Sequence, residues 1–414
     1  MLARFSLYGF LKNQRYFDAF LVLAFMEKGL SFFEIGLLVA VRELTVNVFE
    51  VPSGAIADVF GRRRVMILAF VAYIVSFLAF GLATHASLLF AGMFFFGIGD
   101  SFRTGTHKAM IFSWLQSNGR SDERVKIYGY TRSWSKVGSA VSVIIAAIIV
   151  LVSDSYSYIF LIAIAPYALA IVNFMGYPRD LDGTVDSHRS PAAVIRHMIA
   201  SVRTAFGTPR LRRLVLESSG FDGVFDAVKD YLQPVLEAAA LTLAGSLLVL
   251  SDLSETRRTA LLVGPVYVVL YLLAGASSRA SHRVVGAFGG DAPAAAMLWK
   301  IILVLLGLLG ISAYVDLHAA IIVAFVLLHV VHNLWRPLLI GRFDSAGNEA
   351  QRASLLSIEN QARRAATMII APLIGLAVDA ALRLETGGPY WPAGAIGFTI
   401  ALVVYAATRS SSRR

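Results

Sequence analysis

The sequence contains no cysteine, which excludes disulfides, thiolate metal sites and cysteine nucleophiles. Charge is scarce as well. Only 15% of the 414 residues are Asp, Glu, Lys or Arg, against about 25% in an ordinary soluble domain. Alternation of period two is missing, which argues against strands. Neither a phosphate-binding G-x-x-x-x-G-K-[ST] loop nor an H-E-x-x-H zinc motif occurs. An ATP-driven pump within this chain and a metalloprotease of that type are therefore disfavoured. The opening "MLARFSLYGFLKNQRYF" lacks a long apolar core followed by a small-residue cleavage site, so no cleavable signal peptide is expected and the first span itself is expected to direct insertion.

What the chain has in abundance is apolar sequence: 57% of it is hydrophobic. Segments of about 20 residues recur along its length, each long enough as a helix to cross a hydrocarbon core of roughly 30 Å. The fold class expected is all-α integral membrane, with about twelve transmembrane helices. Their centres lie near Phe20, Thr45, Ile74, Gly97, Val141, Ala165, Phe225, Val269, Leu305, Leu328, Thr367 and Ile400. A cytoplasmic N-terminus puts Arg62, Arg63, Arg64, Arg120, Arg124, Arg279, Arg283, Arg342 and the tail arginines inside, and leaves the opposite loops poor in arginine apart from Arg257 and Arg258. The positive-inside rule thus predicts both termini in the cytoplasm and residence in the cell inner (plasma) membrane. The net charge of +10 reads as that topological bias and as contact with anionic headgroups, and no nucleic-acid partner is expected.

One long polar interruption begins near Tyr177 and separates six spans from six. The expected organisation is a bundle over 1–177, a cytoplasmic linker over 178–210 and a second bundle over 211–414. Within the linker, Ser190 and Pro191 start a basic amphipathic helix with Val194, Met198, Val202 and Ala205 on one face, suited to the inner membrane surface. The halves carry traces of duplication: Gly54, Asp58 and Arg62 align with Gly275, Arg279 and Arg283, Phe17 and Asp18 with Phe225 and Asp226, and Lys136 with Arg364. Two pseudo-symmetric six-helix bundles are the economical explanation.

"GAIADVFGRRR", from Gly54 to Arg64, matches G-x-x-x-D-x-x-G-R-[KR]-R, and "GASSRASHR" is its degenerate copy in the second half. With the twelve spans and the 6+6 division, the chain resembles the major facilitator superfamily over essentially its whole length, and among its members the proton-coupled drug and metabolite exporters. The resemblance implies a secondary active transporter, working by alternating access as a monomer, with a proton gradient as energy source and no cofactor. It also implies that Gly54, Asp58, Gly61, Arg62 and Arg63 form a conformational latch. Physically, the glycines suit close helix approach and a tight turn, and Asp58 suits an arginine or helix-terminal amides.

Ionisable groups inside a bilayer cost on the order of 2.5–3.5 kcal/mol each on insertion scales, so each needs a partner, a wet cavity or a task. They concentrate on the helices that line the central cavity in the family fold. Arg15 with Asp18 and Asp100 with Arg103 stand three apart and suit intrahelical pairing. Arg132 and Lys136 share one face and want an anion opposite, from Glu43, Glu50 or a substrate. Glu217, Asp222, Asp226 and Asp230 make an acidic stripe with Lys229 as the only cation noted beside it. "LHVVHNLWRP" carries His329, His332, Asn333 and Trp335, and "IENQARR" carries Glu359 and Arg364. Hydrogen bonding and proton relay are favoured for the histidines over shared metal ligation, and no metal site is expected. The proton-coupling candidates are Asp18, Glu43, Asp100, Asp222, Asp226, Glu359, His329 and His332. The substrate-binding candidates are Arg15, Arg42, Arg103, Arg132, Lys136, Asn333, Trp335 and Arg364. The expected function is proton-coupled efflux of a small organic solute. The alternative is proton-coupled or facilitative uptake of an organic anion or metal chelate.

Overall fold

In the computed structural model, which describes residues 1–182, 207–244, 252–346 and 352–410, the chain is helical with no strand among the described residues. Two compact units emerge: Met1–Ala24 with Val41–Arg196, and Phe25–Ala40 with His197–Arg414. The first holds α1 (Leu2–Leu11), α2 (Leu21–Glu27) up to Ala24, most of α3 (Phe32–Phe60), α4 (Arg62–Leu82), α5 (Ala86–Arg103), α6 (Thr106–Ser117), α7 (Arg124–Ser153) and α8 (Ser157–Met175). The second holds α9 (Pro209–Val228), α10 (Leu232–Ala244), α11 (Glu255–Ala287), α12 (Asp291–Tyr314), α13 (His318–Asp344), α14 (Arg352–Leu384) and α15 (Trp391–Ser410).

Eight helices among the described residues are long and apolar enough to cross a membrane: α4, α7, α8, α11, α12, α13, α14 and α15. Their outer faces show why the composition is so apolar. On α4, Leu68, Val71, Val75, Leu78 and Leu82 recur every three or four residues and are all exposed, a stripe that suits lipid and not water. The opposite face packs on α5 and α8 through a core of rings in which Phe77 meets Tyr167 edge-on at 4.8 Å. In the second unit the core centres on Trp335, stacked on Phe221 at 4.4 Å.

The four remaining expected centres, Phe20, Thr45, Gly97 and Phe225, belong to segments that are broken or charged. The first span is interrupted: α1 ends at Leu11 and α2 starts at Leu21. The intervening Lys12, Asn13, Gln14, Arg15 and Asp18 offer polar side chains that compete with helical backbone bonds. This break is stitched to α7, where Asn13 Nδ2 donates to the Ser135 carbonyl (2.5 Å) and Ser139 Oγ (3.0 Å), and Gln14 Nε2 donates to the Gly138 carbonyl (3.2 Å). The matching segment of the second half is interrupted too, by a 3-10 turn at Lys229–Tyr231 between α9 and α10. Irregular backbone at membrane depth persists only where protein or a wet cavity covers it.

The segment Phe25–Ala40 groups with the second unit. The cause is local. Asp379 on α14 accepts the backbone N–H groups of Phe32 (3.0 Å) and Phe33 (2.9 Å) at the start of α3, where the helix N-terminus favours a carboxylate. Close approach is possible because Gly36 has no side chain: a Cβ there would meet the Ala371 carbonyl at 2.6 Å. The basic amphipathic helix expected in the linker lies outside the described residues.

Candidate functional site

In the first unit, α1 and α7 cross tightly. A Cβ on Gly9 would meet the Thr131 carbonyl at 2.7 Å, and one on Gly138 would meet the Phe10 carbonyl at 2.5 Å. That contact sets Lys12 and Asn13, at the break of the first span, beside Arg132, Ser135 and Lys136 on α7. The result is a polar cavity of about 340 Å³, walled also by Phe5, Tyr8, His107 and Tyr128. No carboxylate is among the described residues that line it. Arg132 and Lys136, expected to share a face, do so here, and Lys12 joins them.

In the same unit, Asp100 is the hub of a network whose Arg103 also reaches Tyr8 of the cavity wall. Arg42 reaches its Oδ2 (3.0 Å), Arg103 reaches Oδ1 (3.2 Å), and the Tyr73 hydroxyl donates to Oδ1 (2.5 Å). Glu43 lies 3.6 Å from Arg42. Arg15 and Asp18 pair at 3.0 Å, within the turn between α1 and α2 and not along a helix. Thus Arg42 and Arg103, expected to contact substrate, are engaged by a buried carboxylate. Such a network neutralises charge in the span, and its hydrogen bonds offset the desolvation of each ion.

In the second unit each carboxylate of the acidic stripe meets a basic partner. Glu217 bonds Arg213 (2.8 Å) and Arg342 (2.5 Å), Asp226 bonds Arg363, and Asp230 bonds Lys229 (2.6 Å). Asp222, fully buried, receives Arg336 Nη1 on Oδ2 (2.9 Å) and faces His332 Nε2 with Oδ1 (3.2 Å). The same guanidinium holds Glu359 through two bonds of 2.6 and 2.9 Å. Ser218 Oγ donates to Glu359 at 2.5 Å and lies 3.3 Å from Asp222. One arginine therefore serves two buried carboxylates, with the His332 imidazole beside Asp222 and Arg363 in electrostatic reach of both.

The two histidines diverge. His332 stacks on Phe225 at 3.9 Å and reaches Asp222, whereas His329 Nδ1 lies 2.8 Å from the Phe325 carbonyl on its own helix. Trp335, expected at a substrate wall, is fully buried between Phe221 and Trp299 and acts in packing. Asn333 donates to the His329 carbonyl at 2.8 Å. Arg363, the neighbour of Arg364, bonds Asp226.

A family model of the Major Facilitator Superfamily matches residues 5–372. The chain belongs to the Major Facilitator Superfamily. Solved transporters of similar fold include the nucleoside transporter NupG (13% identity, TM-score 0.78, covering 100% of this chain and 99% of that one). Another is a D-xylose-proton symporter (15%, TM-score 0.69, 97% and 95%). A third is a bacterial homologue of the human lysosomal transporter Spinster in an inward-facing, occupied state (14%, TM-score 0.70, 100% and 96%). No curated protein matches the sequence. The chain is a membrane transporter and not an enzyme.

The superfamily's signature loop is built around Gly61, whose φ of +90° suits glycine. Asp182, in a 3-10 turn at Arg179–Asp182 after α8, accepts the Arg63 N–H at 2.8 Å, and the Arg63 guanidinium donates to the Tyr177 carbonyl at 3.3 Å. Arg62 donates to Ser113 Oγ at 2.9 Å. Gly54, expected at a close helix approach, has open space around it. The Asp58 side chain lies outside the described residues. Three contributors escaped the sequence reading of the sites: Lys12, Arg336 and Asp182. Arg336 had a signal, since it aligns with Lys108 in the internal repeat; Asp182 had none, because its role depends on where the chain returns after α8.

Proposed function

We propose that the chain is a proton-coupled secondary active transporter of a small organic solute, working by alternating access with twelve spans in two six-helix bundles. The observation that carries this reading is the cluster of Asp222, Glu359, Arg336 and His332. Two buried carboxylates bond one guanidinium, with His332 against Asp222 and Arg363 in electrostatic reach of both carboxylates. A proton taken up by this cluster loosens the hold of Arg336 on whichever carboxylate it neutralises, which changes the pairing across α9, α13 and α14 and so biases the conformational equilibrium.

Export is the direction proposed, from the likeness of "GAIADVFGRRR" to exporter loops, with Asp58, Gly61, Arg62 and Arg63 as the latch. The proton gradient is the only energy source invoked, the protein acts as a monomer in the inner membrane, and both termini face the cytoplasm. The test is flux in proteoliposomes under an imposed pH gradient, with a solute found by thermal-shift screening. Wild-type protein is expected to accumulate solute against its gradient when protons run the opposite way. Asp222→Asn is expected to keep solute exchange and lose accumulation. Accumulation unchanged by Asp222→Asn and Glu359→Gln would overturn the assignment, and accumulation in the same direction as protons would reverse the direction.

A further inference from the structure

We infer that Ser218 on α9 is a positioning residue for proton uptake: its hydroxyl bridges the two buried carboxylates and assigns the incoming proton to Asp222. This deepens the coupling reading above and rests on it for the use of the proton in transport, while the assignment itself stands on the hydrogen bonding around Ser218.

Ser218, Asp222 and Glu359 are all fully buried. A serine hydroxyl brings one hydrogen and two lone pairs. Ser218 Oγ lies 2.5 Å from Glu359 Oε1 and 3.3 Å from Asp222 Oδ2, so its one hydrogen serves the shorter contact. The longer contact then sets oxygen against oxygen with no hydrogen between them. A proton on Asp222 Oδ2 completes the row, with Asp222 donating to Ser218 and Ser218 donating to Glu359. The neighbouring hydroxyl shows the contrast. Ser219 Oγ donates to the Val215 carbonyl of its own helix at 3.0 Å, a common habit of serine inside a helix, whereas Ser218 is aimed across to α14.

The remaining partners favour Asp222 over Glu359 as the acceptor. Glu359 receives Arg336 on both oxygens, at 2.6 and 2.9 Å, as well as the Ser218 hydroxyl. Asp222 receives Arg336 Nη1 on Oδ2 at 2.9 Å, and its buried Oδ1 has no aligned donor among the described residues. His332 Nε2 stands 3.2 Å from that oxygen, with its ring laid flat on Phe225. Arg363 on α14 is in electrostatic reach of both carboxylates, and it bonds Asp226, one turn along α9 from Asp222. From α15, which also packs on α9, Val404 stands at Gly220. Fewer donors therefore hold the negative charge of Asp222, and a buried acceptor without a donor is costly. A proton on Oδ2 also competes with Arg336 Nη1 for the same oxygen, which is the loosening that coupling requires.

The test is infrared difference spectroscopy of purified full-length protein in detergent, between alkaline and acidic buffer, with no solute and no gradient. Acidification is expected to raise a buried-carboxyl C=O band in wild type that Asp222→Asn removes. In Ser218→Ala that band is expected to move to higher frequency or to be lost, because the carboxyl O–H no longer has its acceptor, while the helical amide band stays unchanged. Ser218→Thr keeps a hydroxyl and is expected to restore the wild-type band, which a packing role alone does not predict. Three results would overturn the inference: no such band in wild type, a band that survives Asp222→Asn, or a band at the same frequency in wild type and Ser218→Ala. Flux in proteoliposomes tests coupling separately. A band that follows Ser218 and Asp222 beside absent proton-driven accumulation leaves the assignment standing and counts against coupling alone. Accumulation that needs Asp222 beside a band indifferent to Ser218 overturns the role of Ser218 and leaves coupling standing.

Discussion

Arg336 on α13 and Glu359 on α14 are joined by two parallel hydrogen bonds, of 2.6 and 2.9 Å, inside the second unit. Bidentate geometry of this kind fixes both distance and rotation between the helices that carry it. Because Asp222 leans on the same guanidinium, Arg336→Met is expected to strand two buried carboxylates. Breaking one side of a buried pair costs about 3–5 kcal/mol. A marked fall in unfolding temperature in detergent is expected, partly restored in Arg336→Met/Glu359→Gln. Equal stability of the single variant and wild type would show that the cluster is hydrated and that its pairing matters little.

Asp182 and the signature loop give a second prediction. The Asp182 carboxylate accepts a backbone N–H in the first turn of α4, as capping side chains do. Asp182→Ala is expected to cost about 0.5–2 kcal/mol, the usual range for a lost cap. Faster hydrogen exchange at the Arg63 amide, with amides in the middle of α4 unchanged, is the signature to look for. Gly61→Ala should cost more, since it combines a strained φ with a Cβ only 2.9 Å from the Asp182 side chain.

The crossing of α1 on α7 gives a third. Gly138→Leu puts a branched side chain where only 2.5 Å separates the Cβ position from the Phe10 carbonyl. The helices must part, at about 1–3 kcal/mol for overpacking. Asn13 and Gln14 then lose their carbonyl partners on α7, and Lys12 moves away from Arg132. A fall in unfolding temperature in detergent is expected, whereas Gly54→Ala, where no described residue lies within 4 Å of the added Cβ, should match wild type.

At the start of α3, Asp379 accepts two backbone N–H groups. Asp379→Ala removes both bonds and the charge that favours a helix N-terminus, worth about 0.3–1 kcal/mol for the electrostatic part alone. Asp379→Asn keeps an acceptor oxygen and is expected to fall between wild type and alanine in thermal stability. An asparagine variant as unstable as alanine would assign the contact to charge rather than to hydrogen bonding.

Much of this molecule was legible before its coordinates. Helical class, membrane residence and superfamily followed from apolar run length and from the loop at Gly54–Arg64. The intrahelical pair Asp100–Arg103 followed from spacing, because neighbours on one helix are set by its period, whereas Arg15 and Asp18 pair within the turn between α1 and α2. Partners on other helices were not legible in that way. Glu217, Asp222 and Asp226 read as an acidic stripe along a single helix, yet Arg342, Arg336 and Arg363 neutralise them from α13 and α14. The break after Leu11 also escaped notice, since polar residues in a span look alike whether the backbone stays helical or turns. Trp335, a substrate-binding candidate close to His332 and Arg336 in sequence, is buried against Phe221 and Trp299, because one step along a helix rotates a side chain by about 100°.

The interrupted first span also bears on how the chain is made. The Asn13 and Gln14 amide N–H groups donate to Ser135, Gly138 and Ser139, which the ribosome adds more than a hundred residues later. Until α7 emerges, the nascent first span holds a polar turn with an Arg15–Asp18 pair and no scaffold to cover it. The first strongly apolar helix to appear is α4, so the early spans are expected to stay close to the translocon and integrate as a group. Truncation before α7 should then leave the first span extractable by alkaline carbonate, and extension through Ser153 should anchor it.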